Sequence, residues 1–263
     1  MDVGRRLALV TGASSGIGAE FARLLAEQGS DLILTARRRE RLERLSAELT
    51  DRHAIDATVL ENDLDTRDGP RQLFDAVTDR ARPITTLINN AGFGRYGRVV
   101  QQDLAAIESM VRVDVTALTV LTRLFAADME RVGRGAILNV ASFAAVQPIP
   151  RYAVYSGAKA YVVAFSQALQ HELRRSGVTV SVLLPGFTVT EFHRVAGHRR
   201  TRLMRFTSLD ARHVARAGLA GVAKGKTVII PGVWYKACAV GGRFLPRRCA
   251  SALAAMTVKS DKA

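Results

Sequence analysis

Tyr155 and Lys159 stand four residues apart in the stretch Tyr-Ser-Gly-Ala-Lys, a spacing that puts both side chains on one face of a helix. An ammonium beside a phenol favours the ionised phenol. A free tyrosine loses its proton near pH ~10, so one that exchanges protons at neutral pH needs such a neighbour. The pair is acid–base equipment, although the same spacing also fits a half-buried aromatic beside a solvated lysine. A second stretch, Gly12-Ala-Ser14-Ser15-Gly16-Ile17-Gly18, follows an apolar run over 7–10 and precedes Phe21, Leu24 and Leu25 at helical spacing. Strand, glycine turn and helix start together suit a diphosphate, which meets free N–H groups where glycine keeps side chains away. After a second apolar run, 31–35, no carboxylate waits for an adenosine ribose. Arg37 and Arg38 offer guanidinium groups suited to a 2′-phosphate, which favours NADP(H) over NAD(H). Arg39 and Arg41 read as the charged, solvated start of a helix.

These residues need a frame that gathers them. Apolar strand-like runs at 7–10, 31–35, 57–61, 86–88, 136–141, 178–184 and 227–230 alternate with helical patterns, including long ones over 103–129 and 153–175. That rhythm predicts an α/β fold: a single Rossmann-type, doubly wound parallel sheet of about seven strands, flanked by helices. The chemical-looking clusters Asp63-Leu64, Asn89-Asn90-Ala91-Gly92, Ser142 and Pro185-Gly186 each follow a predicted strand, and the carboxyl ends of strands are where such sheets bind ligands. One catalytic domain is expected over 1–232, with an irregular, arginine-rich lid over 187–209 containing His193, Arg194, His198, Arg199, Arg200, Arg202 and Arg205. A basic amphipathic tail follows over 233–263.

The chain has 263 residues, with 38 Lys plus Arg against 24 Asp plus Glu and a formal charge of +14. The excess favours anionic partners without naming one, and charge alone points to no nucleic-acid site. No apolar run approaches the ~20 residues that cross a bilayer, and the run after Arg5-Arg6 is too short for a signal peptide. The two cysteines, Cys238 and Cys249, lack metal-ligand spacing and read as unpaired thiols of a cytoplasmic protein; no metal is expected. The tail, with Phe244-Leu-Pro-Arg247-Arg248, suits an anionic membrane surface, or equally packing on its own domain or a second subunit.

Taken together, Thr11-Gly12-x-x-x-Gly16-x-Gly18, Asp63, Asn89-Asn90-Ala91-Gly92, Ser142, Tyr155-x-x-x-Lys159 and Pro185-Gly186 resemble the short-chain dehydrogenase/reductase family over roughly residues 5–232. The stretches 34–38, 139–142 and 190–192 resemble its bacterial ketoacyl-reductase-like branch. The resemblance implies that Tyr155 protonates a carbonyl oxygen, Ser142 polarises it, and Lys159 lowers the tyrosine pKa and holds the nicotinamide ribose. It implies further that the diphosphate lies over Gly12, Ser15, Gly16, Ile17 and Gly18, with Ser14, Arg37 and Arg38 on the 2′-phosphate. Asp63 and Leu64 would border the adenine, Asn90, Ala91 and Gly92 the ribose, and Pro185, Gly186, Thr188 and Thr190 the carboxamide. One residue departs from the pattern: Asp114 stands where the family commonly has an asparagine near the lysine, and its charge is a negative neighbour for Lys159.

Substrate contacts are expected from Phe93, Phe143, Gln147, Pro148, Tyr152 and Phe187. An apolar pocket under a basic lid suits a carbonyl compound with a long chain and an anionic head, such as a 3-oxoacyl group on coenzyme A or an acyl carrier. The expected activity is NADPH-dependent reduction of that ketone to a hydroxy product. The alternatives are a catalytically weak nucleotide-binding scaffold and a dehydrogenase of secondary alcohols or steroids. A homo-oligomer, dimer or tetramer, is expected through the long helices.

Overall fold

A computed structural model describes residues 6–80, 82–198, 201–242 and 247–258. The lid residues Arg199 and Arg200, the side chains of His193 and Arg202, the tail residue Phe244 and the side chains of Arg247, Arg248 and Cys249 lie outside the described residues. Seven strands form one parallel sheet: β1 (Leu7–Thr11), β2 (Asp31–Ala36), β3 (Ala57–Glu61), β4 (Thr86–Asn89), β5 (Gly135–Val140), β6 (Val178–Leu183) and β7 (Val228–Ile229). Their spatial order is β3-β2-β1-β4-β5-β6-β7, so the order reverses between β1 and β4. At such a reversal the two connections leave in opposite directions and open a crevice.

The strands read as nearly continuous apolar runs because both faces are covered. Along β1, Ala8 and Val10 join the core beneath α1 (Gly16–Glu27) and α2 (Arg39–Arg52), whereas Leu7 and Leu9 join the opposite core, as alternating side chains must. That opposite layer holds α3 (Gly69–Thr78), followed by α4 (Leu104–Val111), a π-helical turn Arg112–Ala117 and α5 (Leu118–Val132) in place of one uninterrupted helix. α6 (Ala153–Glu172) packs beside them and carries Tyr155 and Lys159. The lid holds two short helices, α7 (Phe192–Val195) and α8 (Arg202–Thr207).

A helix that the sequence pattern did not single out, α9 (Ala211–Ala223), completes the first layer. Its Gly218 lies so close to Phe21 of α1 that a Cβ there would stand 3.1 Å from the ring. Asp210 caps it, the carboxylate accepting from the His213 N–H at 3.0 Å. Asp210→Ala is expected to lower the unfolding free energy by about 1 kcal/mol; an unchanged urea midpoint would show that the cap contributes nothing. The tail forms α10 (Val233–Gly242) and α11 (Arg247–Val258).

Candidate active site

The glycine turn is built by close approach. Gly12 and Gly16 have φ of +66° and +58°, a left-handed conformation that side chains disfavour. A Cβ on Gly12 would stand 2.9 Å from Ala91 Cα, and one on Gly18 would collide with the Gly12 carbonyl. The loop after β4 is tied to this turn: Thr11 Oγ1 accepts from the N–H groups of Asn90 and Ala91, each at 3.0 Å, and Asn90 Nδ2 donates to Thr11 O at 3.0 Å. The cradle is therefore backbone on both sides, fixed before any ligand arrives. It fits the diphosphate of a dinucleotide, which needs N–H groups and no side chains.

Arg38 marks one end of the crevice. Its guanidinium donates to Ser14 Oγ at 3.0 Å and Ser15 Oγ at 2.7 Å, and to the Glu191 carboxylate at 2.8 Å. Arg39 pairs with Glu43 one turn along at 2.7 Å, with both side chains more than half exposed, as a solvated helix start should. Arg41 departs from the expectation: it reaches across to Glu191 at 3.1 Å. Sequence spacing gave no sign of this contact, because the partners lie 150 residues apart.

The other end gathers Ser142, Tyr155, Lys159 and Asp114. Ser142 follows β5, and its hydroxyl accepts from the Ala144 N–H at 3.1 Å. Lys159 is buried; its Nζ donates to Val140 O at 3.2 Å and faces Asp114 Oδ1 at 3.4 Å. It also lies 5.9 Å from the centre of the Tyr155 ring. Asp114 sits in the π-helical turn, wholly buried. Its Oδ1 also accepts from the Phe93 N–H at 3.2 Å, while Oδ2 has no hydrogen-bond partner. Loss of hydration pushes its carboxyl up to about 6, against the pull of Lys159. Gly92 makes the meeting possible, since a Cβ there would collide with Asp114 Oδ1 and stand 3.0 Å from Lys159 Nζ.

One electrostatic expectation is corrected. The ammonium of Lys159 was expected to lower the Tyr155 pKa, yet the phenol is held above its ordinary range. Burial is the main cause, the Asp114 charge adds to it, and hydrogen bonding with Ser142 acts the other way. Burial outweighs the rest: the phenol has lost its hydration, and the lysine, paired with Asp114, is one half of an ion pair. Tyr155 is thereby kept as the neutral, proton-bearing phenol.

A cavity of about 790 Å³ joins the two ends. It is lined by Gly12, Ser14, Ser15, Gly16 and Ile17, by Arg37, Arg38, Asp63 and Leu64, and by Asn90, Ala91 and Gly92. Ser142, Tyr155 and Lys159 line it too, with Pro185, Gly186, Thr188 and Thr190. Of the residues expected at the substrate, Phe93, Phe143, Gln147, Tyr152 and Phe187 are in the wall and Pro148 is not. Gly18 and Asp114 stand behind the surface, supporting the glycine turn and the lysine respectively. Asn89 also lies behind it, its amide donating to Thr122 and Asn139 at 2.9 Å and so tying β4 to its neighbours. The Tyr152 hydroxyl is engaged by His198 Nδ1 at 3.0 Å.

The tail contributes wall that the sequence did not foretell. Trp234, Tyr235 and Cys238 of α10 and Leu253 and Thr257 of α11 line the cavity. The Tyr235 ring occupies the space that a Gly186 side chain would need. Its hydroxyl accepts from the Phe187 N–H at 2.9 Å and donates to Thr207 O at 3.1 Å, clasping both ends of the lid. An aromatic just beyond Pro231-Gly232 was the available signal.

Comparison with known proteins agrees with this geometry. Residues 6–200 match the family model for short chain dehydrogenases. The chain is 36% identical over 190 residues to sulfoacetaldehyde reductase 2 of Chromohalobacter salexigens, covering 71% of this chain and 74% of that one. It is 29% identical over 195 residues to the very-long-chain 3-oxoacyl-CoA reductase of Anas platyrhynchos, covering 72% of this chain and 62% of the relative's length. The structure of a short-chain dehydrogenase from Sphingobium yanoikuyae in complex with NADPH superimposes with a TM-score of 0.82 at 32% identity, covering 98% of both chains. The chain belongs to the short-chain dehydrogenase family, oxidoreductases that use nicotinamide cofactors and act on carbonyl and hydroxyl groups.

Proposed function

We propose that this protein is an NADPH-dependent carbonyl reductase whose substrate is a 3-oxoacyl thioester, on coenzyme A or an acyl carrier, or a related lipid-like ketone. The observation that carries this reading is geometric: Ser142, Tyr155 and Lys159 line one end of a single cavity whose other end is the glycine turn, which sets a hydroxyl and a phenol where a carbonyl would meet the cofactor. Arg38 on Ser14 and Ser15, with no carboxylate at the end of β2, supports the 2′-phosphate and hence NADP(H). With its diphosphate over the glycine turn, a bound NADPH would supply the hydride. Tyr155 Oη gives its proton to the substrate oxygen while Ser142 Oγ donates a hydrogen bond to that oxygen. Lys159, anchored by Val140 O and Asp114, holds the ribose side of the site. Tyr235 ties the start of the lid to Thr207.

The acyl chain would run along the aromatic and aliphatic wall of Phe93, Phe143, Ile149, Phe187, Phe192 and Trp234, a lining that favours long apolar substrates. The relative named as a very-long-chain 3-oxoacyl-CoA reductase supports the same substrate class. Among the described residues no helix is long and apolar enough to cross a membrane. The reading includes a homo-oligomer, for which Leu104, Val111 and Tyr161 stay exposed on the long helices.

NADPH oxidation measured across 3-oxoacyl thioesters of increasing length, with steroid and small ketones alongside, tests the assignment. Each buried methylene adds up to ~0.8 kcal/mol, so kcat/KM should rise at least roughly tenfold between four and twelve carbons. Turnover confined to short aldehydes such as sulfoacetaldehyde would sink the acyl reading and leave a reductase of small anionic carbonyls.

A further inference from the structure

The pocket that the proposed function gives to a 2′-phosphate already holds an anion that belongs to the chain itself. Glu191 follows Thr190 at the start of the lid. Its Oε2 accepts from Arg38 Nη1 at 2.8 Å and from Arg41 Nη1 at 3.1 Å, and its Oε1 accepts from Arg194 Nη2 at 2.8 Å. Arg38 is the same guanidinium that donates to Ser14 and Ser15. The lid is thus bolted to the start of α2 through the residue best placed to read the adenosine ribose. Arg38 and Arg41 hold the Glu191 carboxyl down at about 2, so it is an anion at every pH at which the protein would work.

We propose that Glu191 is a specificity-determining residue, its carboxylate competing with the 2′-phosphate of NADP(H) for Arg38. The inference rests on the reading that Arg38 receives this phosphate. Arg38 gives Nη1 to Glu191 and Nε and Nη2 to Ser14 and Ser15, so a phosphate arriving beside Ser14 meets a guanidinium whose charge a carboxylate already matches, and two anions on one guanidinium repel each other. Entry of the phosphate therefore loosens the Arg38–Glu191 bond and leaves the carboxylate chiefly with Arg194 and Arg41. A nucleotide without the 2′-phosphate makes no such demand and binds with the bridge closed. Part of the phosphate's attraction to Arg38 is consumed in displacing Glu191, which narrows the preference for NADP(H) over NAD(H) and makes phosphate binding the event that frees this end of the lid. The competition is local because the ion pair is partly exposed, with side-chain exposures of 43% for Arg38 and 31% for Glu191.

Equilibrium titrations test this without any turnover: NADPH and NADH followed by their own fluorescence, and adenosine 2′,5′-bisphosphate and 5′-AMP followed by calorimetry. Glu191→Gln should tighten NADPH and the bisphosphate roughly threefold to tenfold, the scale of a partly exposed ion pair, while NADH and 5′-AMP stay within about twofold. In an Arg38→Ala background the gain should vanish. The proposal is overturned if Glu191→Gln weakens NADPH, leaves it unchanged, or shifts both nucleotides alike. Failure of the underlying cofactor reading looks different. In that case wild-type protein binds the bisphosphate no better than 5′-AMP, and Arg38→Ala changes neither.

Discussion

Tyr155→Phe should cut NADPH-dependent ketone reduction by at least about a thousandfold, within the range that a positioned general acid contributes, and should leave nucleotide binding intact. The substitution removes only the hydroxyl. The ring keeps its place between Tyr152, whose centroid is 5.9 Å away, and Phe192, at 5.3 Å, and Lys159 keeps Val140 O and Asp114. Fold and cofactor affinity are therefore expected to match wild type, and the loss should appear in kcat rather than in the nucleotide titration. A variant that retains turnover within tenfold of wild type would mean that Ser142 or a water delivers the proton. A catalytically idle nucleotide-binding scaffold makes a different forecast, no ketone-dependent NADPH consumption in either protein, so one pair of assays separates the two readings.

What could be read in the chain and what could not divides along a physical line. The central strands were visible because each is a short apolar run buried on both faces, whereas β3 at the edge is only partly buried; the glycine turn was visible because its residues are local and conformationally particular: Gly12 and Gly16 do adopt positive φ. The helix expected over 153–175 is present over Ala153–Glu172, and with it the shared face of Tyr155 and Lys159. Contacts between distant segments were not visible. Arg38 meets Glu191 across 153 residues, and Arg41, read as a solvated helix charge, meets it too. Tyr235 closes onto Gly186 from a tail whose pattern suited a membrane, a second subunit or its own domain equally. Helix α9 has a cap in Asp210 but a weak pattern, because Gly218 and Gly221 interrupt it, and only the packing of Gly218 on Phe21 and of Gly221 on Ile229 explains them. The departure at Asp114 was apparent. Its effect on Tyr155 was not, since that depends on burial and on Asp114 standing against the lysine.

Asp114→Asn should shift the ascending limb of the pH profile of alcohol oxidation down by about one pH unit, the lower end of what a close charge does to a neighbour, making the reverse reaction about tenfold faster below that limb. Oxidation needs Tyr155 as phenolate to accept the alcohol proton, and the Asp114 charge is second only to burial in opposing that state. An asparagine keeps the shape and can still accept from the Phe93 N–H, but it carries no charge. Ketone reduction near neutral pH should change little, because the phenol is already protonated there. Stability supplies an independent check. The Asp114 carboxyl sits at about 6 in the fold against an ordinary value of 3.8, so between these values the folded protein binds a proton that the unfolded chain does not. The contribution of this group is present in full below 3.8 and is lost as pH rises through about 6. The melting temperature of the variant relative to wild type should therefore move in the variant's favour from pH 4 to pH 7. A constant offset across that range, together with an unmoved oxidation limb, would show that Asp114 holds Lys159 in place without setting the charge state of the tyrosine.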